Sequence, residues 1–185
     1  LSLEPSAAIV VKTLGGSFTV PSDAGSDVKF YAVTKNNDIY KPSAGNGTAS
    51  DPYIITDVNE LNSLGKYPNA YFKLGNDIDV SKGSFFTAES FSGNLNGNGY
   101  TINNLNKPLV NKNKGSINNL AINASINMDV MYNFGVVANY NEGLISDVKI
   151  IGSVTINGIG NNFVAYPVIG GIAGESEPSG IIERV

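Results

Sequence analysis

The sequence contains no cysteine, no histidine and no tryptophan, and its one arginine is Arg184. Without cysteine the chain cannot form disulfides or thiolate metal sites. Without histidine it lacks the side chain that most often acts as a general base or binds a metal near neutral pH. No apolar run approaches the roughly 20 residues that a membrane-spanning helix needs. These absences exclude disulfide-stapled folds, catalysis by histidine or cysteine, and a helical membrane span in this segment.

Charged residues are also scarce, at 15% of the 185-residue chain, against roughly 25% in an average soluble protein. The net charge of −4 argues against nucleic-acid binding through a broad basic face. A local basic spot at Lys107, Lys112 and Lys114 is typical of a solvated loop. Asparagine takes the polar role instead, with 25 copies, and together with 21 glycines it favours strands and turns over helices.

One phrase recurs along the chain: a glycine, one or two residues, an isoleucine, two polar residues and an aliphatic residue. Such self-similarity predicts a stack of repeated units that tolerates insertions in its turns. The glycine is expected where the backbone needs a positive φ or approaches a neighbour closely. The two polar residues predict a kink or bulge. The isoleucines predicted to lie above one another are Ile102, Ile117, Ile145 and Ile182.

A second phrase, residues 109–115, matches residues 137–143. In a stack of repeats the matching asparagines would form polar ladders, because stacked Asn side chains can hydrogen-bond along the stack. The predicted ladders pair Asn111 with Asn139 and Asn113 with Asn141.

Residues 91–105 look like the opening segment of GLUG-motif β-helix proteins. The glycine-rich residues 169–174 resemble the motif itself, and residues 134–139 are a looser copy. Upstream, residues 47–55 and 71–79 fit the usual lead-in, so the resemblance covers roughly residues 45–185.

This resemblance implies a right-handed parallel β-helix on the outside of a bacterial cell. Such repeats occur in surface proteins, adhesins and the amino-terminal regions of immunoglobulin A proteases. Those proteases act through a separate zinc domain, whose His-Glu-x-x-His motif has no counterpart here. We therefore expect an all-β protein, with a parallel β-helix over residues 43–185 that is truncated at its C-terminal end.

Residues 1–42 are expected to form a strand-rich segment, either a cap on the β-helix or the tail of a preceding domain. One helix is expected at residues 57–64, with Asp57 as N-cap and Glu60 three positions on. Leu61 and Leu64 would face inward, and Gly65 would end the helix.

Two segments invite ligand-binding hypotheses. Asp77 and Asp79, with Asn76, could supply oxygen ligands to calcium. Alternation around a buried Ile78 would instead give a plain strand with one wet face. The glycine-rich residues 91–99 could cradle a phosphate, but no Lys-Ser/Thr pair follows, which favours tight turns.

A polysaccharide-cleaving enzyme would need two carboxylates at facing positions. The acidic residues of the repeat region are instead scattered near turns: Asp129, Glu142, Asp147, Glu175, Glu177 and Glu183. No catalytic, cofactor-binding or metal-binding residue is therefore assigned.

Aromatic residues cluster in two predicted loops, 123–134 and 157–167, where they could contact a host glycan or protein. The alternative is that these rings pack beneath their own loops. The rings are Tyr132, Phe134, Tyr140, Phe163 and Tyr166.

The last repeat unit would expose a strand edge, which is expected to continue in a longer chain or to associate end to end with another copy. The function predicted from the sequence is a non-catalytic, bacterial cell-surface or secreted module, serving as an adhesin-like domain or a rigid spacer. The alternatives are a polysaccharide-cleaving β-helix enzyme and an accessory region of an exported protease.

Overall fold

A computed structural model of the chain describes residues 40–130, 132–159 and 167–185. These residues are mostly β-strand, which confirms the all-β class. The segment predicted as strand-rich, residues 1–42, lies outside the described residues except for its last three. The helices are α1 Val58–Leu61 and α2 Ser63–Lys66. The strands are β1 Tyr53–Ile55, β2 Tyr71–Leu74, β3 Ile78–Asp79, β4 Ala88–Phe91, β5 Asn94–Asn96, β6 Thr101–Leu105, β7 Val110–Asn113, β8 Ser116–Val130, β9 Phe134–Gly135, β10 Ala138–Asn141, β11 Leu144–Ile159, β12 Ile169–Gly170, β13 Ala173–Ser176 and β14 Ile181–Glu183.

Every pairing between these strands is parallel. The large sheet has the order β1-β2-β5-β8-β11-β14, with β3 and β6 alongside, and a second sheet has the order β4-β7-β10-β13. The pair β9-β12 forms a third, small sheet. We call a rung any stretch that gives one strand to the second sheet and the next strand to the large sheet. The chain thus repeats one path, and each rung pairs with the rung before it.

Apolar side chains form a column through the large sheet. Phe72 pairs with Leu95, Leu95 with Ile117, Ile117 with Ile145, and Ile145 with Ile182. The first four are at most 1% exposed, so this column is the centre of the core. The predicted stacking of Ile117, Ile145 and Ile182 is confirmed. Ile182 remains 37% exposed, because no described strand lies beyond β14.

Ile102 was predicted to belong to the same column, and that prediction is wrong. Ile102 pairs instead with Ile78 and Ile122, in a second buried column of the large sheet. The place expected for Ile102 is taken by Leu95. Both columns face the interior, so the error changes the position of Ile102 along the rung but not its burial.

Close approach between rungs requires the glycine in the copies of the phrase that begin at Gly115 and Gly143. A Cβ atom on Gly115 would lie 2.0 Å from the carbonyl oxygen of Gly93, and one on Gly143 would lie 2.1 Å from that of Gly115. Real Cβ atoms do not approach oxygen so closely, so alanine cannot fit unless the rungs move apart. Close approach is therefore the reason at Gly115 and Gly143, whereas Gly99 has the predicted positive φ, 80°, and an added Cβ there would meet nothing within 4 Å.

The predicted kink is also present, and its cause is a residue in the left-handed region. Asn119 has φ 52°, Asp147 has φ 53° and Arg184 has φ 51°, and all three occupy equivalent corners of successive rungs. Asparagine and aspartate tolerate this conformation better than most residues. The second polar residue of the phrase is thus the one that turns the chain.

The helical segment begins as predicted. The Asp57 carboxylate accepts a 2.8 Å hydrogen bond from the Glu60 amide, and Leu61 and Leu64 are buried. The prediction that Gly65 ends the helix is wrong, because α2 continues through Gly65 to Lys66. Gly65 instead lies against β4, where an added Cβ would be 3.6 Å from the Cα of Ala88.

Replacing Glu60 by glutamine should lower the free energy of unfolding by about 1 to 2 kcal/mol at pH 7, because hydrogen bonds to a charged acceptor are the stronger ones. The buried Glu60 carboxylate accepts from the amides of Ser43 and Thr56, each at 2.8 Å, and from the Thr56 hydroxyl. Burial alone would raise the pKa of Glu60, but these donors together bring it below 4.5.

A lowered folded-state pKa stabilises the protein above the unfolded-state value, and this contribution is lost as the pH falls through the folded-state value. Urea titrations of both proteins from pH 7 to pH 3 should therefore show the difference between wild type and Glu60→Gln shrinking below pH 4.5. A difference that stays constant over this range would contradict the role assigned to the Glu60 charge.

The outer edge of the last rung is apolar. Ile181 is 54% exposed and Val185 is 60% exposed. The end-to-end association predicted for this edge stays a prediction. No helix in the described part of the chain is long and apolar enough to cross a membrane.

Candidate functional site

A cavity of about 400 Å³ opens where the second sheet meets the far end of β8. Its volume falls within the range of small-molecule sites. We call it the amide groove, because asparagine side chains form much of its wall. Its lining residues are Thr87, Glu89, Lys107, Pro108, Asn111, Met128, Asp129, Val130, Tyr132, Asn133, Phe134 and Asn139.

A hydrogen-bonded ladder of three side chains forms one wall of the groove. Asn139 Nδ2 donates to Asn111 Oδ1 at 3.0 Å, and Asn111 Nδ2 donates to Glu89 Oε1 at 2.7 Å. The amide of Gly135 donates to Asn139 Oδ1 and completes the ladder. The three side chains stand at matching positions of β4, β7 and β10. The pairing of these strands therefore fixes the positions of the three side chains. The predicted pairing of Asn111 with Asn139 is confirmed.

The second predicted ladder has a structural role in the core. Asn113 and Asn141 are completely buried, and Asn113 Nδ2 donates to Asn141 Oδ1 at 2.8 Å. Asn113 also accepts from the Gly115 amide and donates to the carbonyl of Leu144. This pair ties the second sheet to the start of the large sheet at the corners of two successive rungs.

The opposite wall of the groove comes from the end of β8. Residues 123–130 were predicted to be loop, and this is wrong, because β8 runs on to Val130 and pairs with β11. Burial alternates along it: Ile126 and Val130 are buried, while Asn127 and Asp129 are exposed. This period of two was readable in the sequence and would have identified the strand. The predicted second loop, 157–167, is likewise strand up to Ile159, and residues 160–166 lie outside the described residues.

The predicted aromatic residues differ in exposure. Tyr132 is 69% exposed at the groove, whereas Phe134 is 2% exposed and packs in the core. Tyr140 lies under the Lys112 ammonium, 5.7 Å from the ring centroid. Phe163 and Tyr166 lie outside the described residues. Among the described members of this set, Tyr132 is the ring that offers a free face to a ligand.

Three of the six scattered acidic residues, Glu142, Asp147 and Glu183, form ion pairs with basic groups. Glu142 is 2.8 Å from Lys112, which lowers the pKa of Glu142. Asp147 accepts two hydrogen bonds from the Arg184 guanidinium, which lowers the pKa of Asp147. Of the acidic residues named from the sequence, Asp129 lines the groove. Glu89 joins it there although the sequence analysis did not select it.

The predicted basic spot divides in two. Lys112 and Lys114 both approach Glu142, at 2.8 and 3.8 Å. Lys107 lines the amide groove. The three lysines therefore form no shared basic surface.

The calcium candidates fasten the segment around β3 to β6, the strand it pairs with. Asp77 Oδ1 accepts from the Thr101 amide at 2.8 Å, and Asp79 Oδ1 accepts from the Asn104 amide group at 2.9 Å. The Ser81 hydroxyl and then Asn104 lower the pKa of Asp79. Ile78 between the two aspartates is 1% exposed, as expected for a strand with one wet face. No group of three or more metal-ligating side chains occurs among the described residues.

The glycine-rich residues 91–99 form turns around β5, as the sequence favoured. Asn98 and Gly99 have φ of 54° and 80°, and the Tyr100 amide donates to the Gly97 carbonyl. This turn links the two buried columns of one rung.

Groove residues that were not predicted from the sequence include Thr87, Glu89 and Pro108. A signal for Glu89 was present, because residues 88–91 occupy the same positions as residues 110–113 in the next rung. Extending the Asn139–Asn111 ladder by one rung leads directly to Glu89. Thr87 and Pro108 lie in irregular segments between strands, and the hydrogen bond between them, across 21 residues, had no sequence signal.

Comparison with known proteins gives one similarity and two negative results. The chain is similar to Halomucin from Haloquadratum walsbyi, with 31% identity over 180 residues, covering 80% of this chain. The chain spans about 2% of the length of that relative. No protein-family model and no solved structure matches the chain. The resemblance to GLUG-motif proteins therefore stays a prediction.

Proposed function

We propose that this chain is a non-catalytic extracellular module, built as a right-handed parallel β-helix, that serves as an adhesin-like domain or a rigid spacer. The in-register column from Phe72 to Ile182 is the observation that carries this proposal. Rungs stacked in this way make an extended scaffold in which each repeat contacts its neighbours only. The resemblance to GLUG-motif surface proteins points the same way.

Two observations support a location outside the cell. The similarity to Halomucin is the first, since that name refers to mucins, which are extracellular proteins. The second is the low-charge, asparagine-rich composition, which suits an extended polar scaffold. A position on the cell surface, and a bacterial source, remain parts of the proposal.

The state of the acidic residues supports a non-catalytic role. A glycosidase needs one carboxylic acid with a raised pKa to protonate the leaving group. Basic partners lower the pKa of both Glu142 and Asp147. These two carboxylates are therefore tuned for ion pairing and not for proton donation.

Antibodies raised against this chain should label intact cells of the source organism. The control is a cytoplasmic protein that becomes labelled only after permeabilisation. Surface digestion with a protease should remove the signal, because an extracellular module is accessible to it. Labelling that requires permeabilisation would overturn the extracellular location.

Polysaccharide cleavage is the second candidate, because Glu89 and Asp129 line one concave site. It predicts release of reducing ends from a polysaccharide, and loss of that release in Glu89→Gln and Asp129→Asn. Absence of release across plant, bacterial and animal polysaccharides is the result expected from the non-catalytic proposal.

A further inference from the structure

We infer that the amide groove binds carbohydrate, and specifically neutral or amino sugars. This inference deepens the adhesin-like role and rests on it. It joins three properties of the groove: a fixed hydrogen-bonding ladder, one exposed tyrosine ring and an excess of negative charge.

The ladder offers donors and acceptors in fixed positions. Each of Asn111 and Asn139 uses one amide hydrogen and one oxygen lone pair within the ladder. An asparagine amide has two hydrogens and two lone pairs, so each of these groove-lining residues retains one donor and one acceptor site. Sugar hydroxyls both donate and accept, and a side chain that does the same is their natural partner.

The ladder is also ordered before a ligand arrives. Its three side chains belong to paired strands, so their spacing follows the strand spacing of about 4.8 Å. Little side-chain entropy remains to be lost when a ligand binds, and this loss is one of the main costs of binding. Polar contacts repeated along the stack suit a chain of sugars better than a single compact ligand.

Tyr132 supplies the apolar contact. Its side chain is 69% exposed and lines the groove beside Asn133. A tyrosine ring has an apolar face and a polar tip, and the C–H face of a sugar ring stacks on such a surface. This degree of exposure means that Tyr132 contributes little to the core.

Charge selects among sugars. Among the described residues that line the groove, the charged side chains are Glu89, Asp129 and a single cation, Lys107. A carboxylate-bearing sugar would face two like charges, whereas a neutral sugar would not and an amino sugar would be attracted. The groove should therefore reject uronic and sialic acids.

The test is an array of neutral, amino and acidic oligosaccharides probed with the whole chain, followed by calorimetric titration of the tightest binder. Tyr132→Ala should weaken binding at least tenfold. The matched control is Tyr71→Ala, because Tyr71 is also exposed, at 42%, but does not line the groove. Thermal unfolding of both variants should match that of the wild type.

Binding of neutral or amino sugars that Tyr132→Ala weakens and Tyr71→Ala leaves unchanged would support the inference. Silence across the array, preference for acidic sugars, or equal binding by Tyr132→Ala and wild type would each overturn it. These outcomes are separate from those of the proposed function. If the array shows no binding but antibodies label intact cells, the sugar-binding inference is wrong and the extracellular location stands. Binding followed by release of reducing ends supports the groove and overturns the non-catalytic role.

Discussion

Replacing Gly115 by alanine should lower the free energy of unfolding by about 3 kcal/mol or more, at the upper end of the cost of overpacking. The new Cβ would lie 2.0 Å from the Gly93 oxygen and 2.6 Å from the carbonyl carbon of Ser92. Both are backbone atoms, so no side-chain rotation can relieve the clash. The strand would have to move, and the 2.9 Å hydrogen bond from the Ser116 amide to Gly93 would be lost.

The matched control is Gly171→Ala. An alanine Cβ at Gly171 would meet nothing within 4 Å, and its φ is outside the positive range that disfavours side chains. Urea denaturation followed by circular dichroism should place Gly171→Ala within about 0.5 kcal/mol of wild type. Equal stability of the two variants would contradict the close-approach explanation of the repeated glycine.

Replacing Asn113 by alanine should cost about 3 kcal/mol of unfolding free energy. The side chain is completely buried and makes three hydrogen bonds, to Asn141, Leu144 and Gly115. The substitution would leave the buried Asn141 oxygen without its donor. An unsatisfied buried polar group costs about 1–3 kcal/mol, and the lost hydrogen bonds and the small cavity add to this.

The control for the buried pair is a similar pair on the surface. Asn127 accepts a 2.6 Å hydrogen bond from Asn157, but both residues are exposed and water can replace the bond. Asn127→Ala should therefore change the unfolding free energy by no more than about 0.5 kcal/mol. If urea denaturation shows that both substitutions lower the unfolding free energy equally, burial is not the reason that the Asn113–Asn141 pair stabilises the fold.

Much of this architecture could be predicted from the sequence, because the rungs repeat both their core residues and their corners. Gly115 and Gly143 precede Ile117 and Ile145 at identical spacing, and that spacing fixes the register of β8 against β11. The asparagine ladders followed from the same alignment. A repeat places side chains above one another without any need to know the path between them.

The error at Ile102 has a physical cause. Ile102-Asn103-Asn104 and Ile117-Asn118-Asn119 carry the same three residue types, and both end on an asparagine with positive φ, 58° in Asn104 and 52° in Asn119. The phrase therefore encodes a local bend, and this bend occurs at two different points of the rung. Sequence similarity identified the conformation correctly but not its position.

The groove could be predicted only in part. Asn111 and Asn139 were placed together by the repeat, and Tyr132 was selected as a contact residue. The end of β8 faces the ladder because β8 extends beyond its neighbour β6. Strand β6 ends at Leu105, whereas β8 continues to Val130. The length of that overhang has no counterpart in the repeat, so the shape of the groove required the structure.

The mutual fit of successive rungs has a consequence for how such a gene can change. Successive rungs present a glycine and an apolar column residue at matching positions, so a duplicated rung finds a compatible neighbour on both sides. Copying one segment of DNA would lengthen the stack by about 4.8 Å without any new core having to evolve. Unequal recombination between rungs thus offers a way to vary the reach of the protein in small, uniform steps.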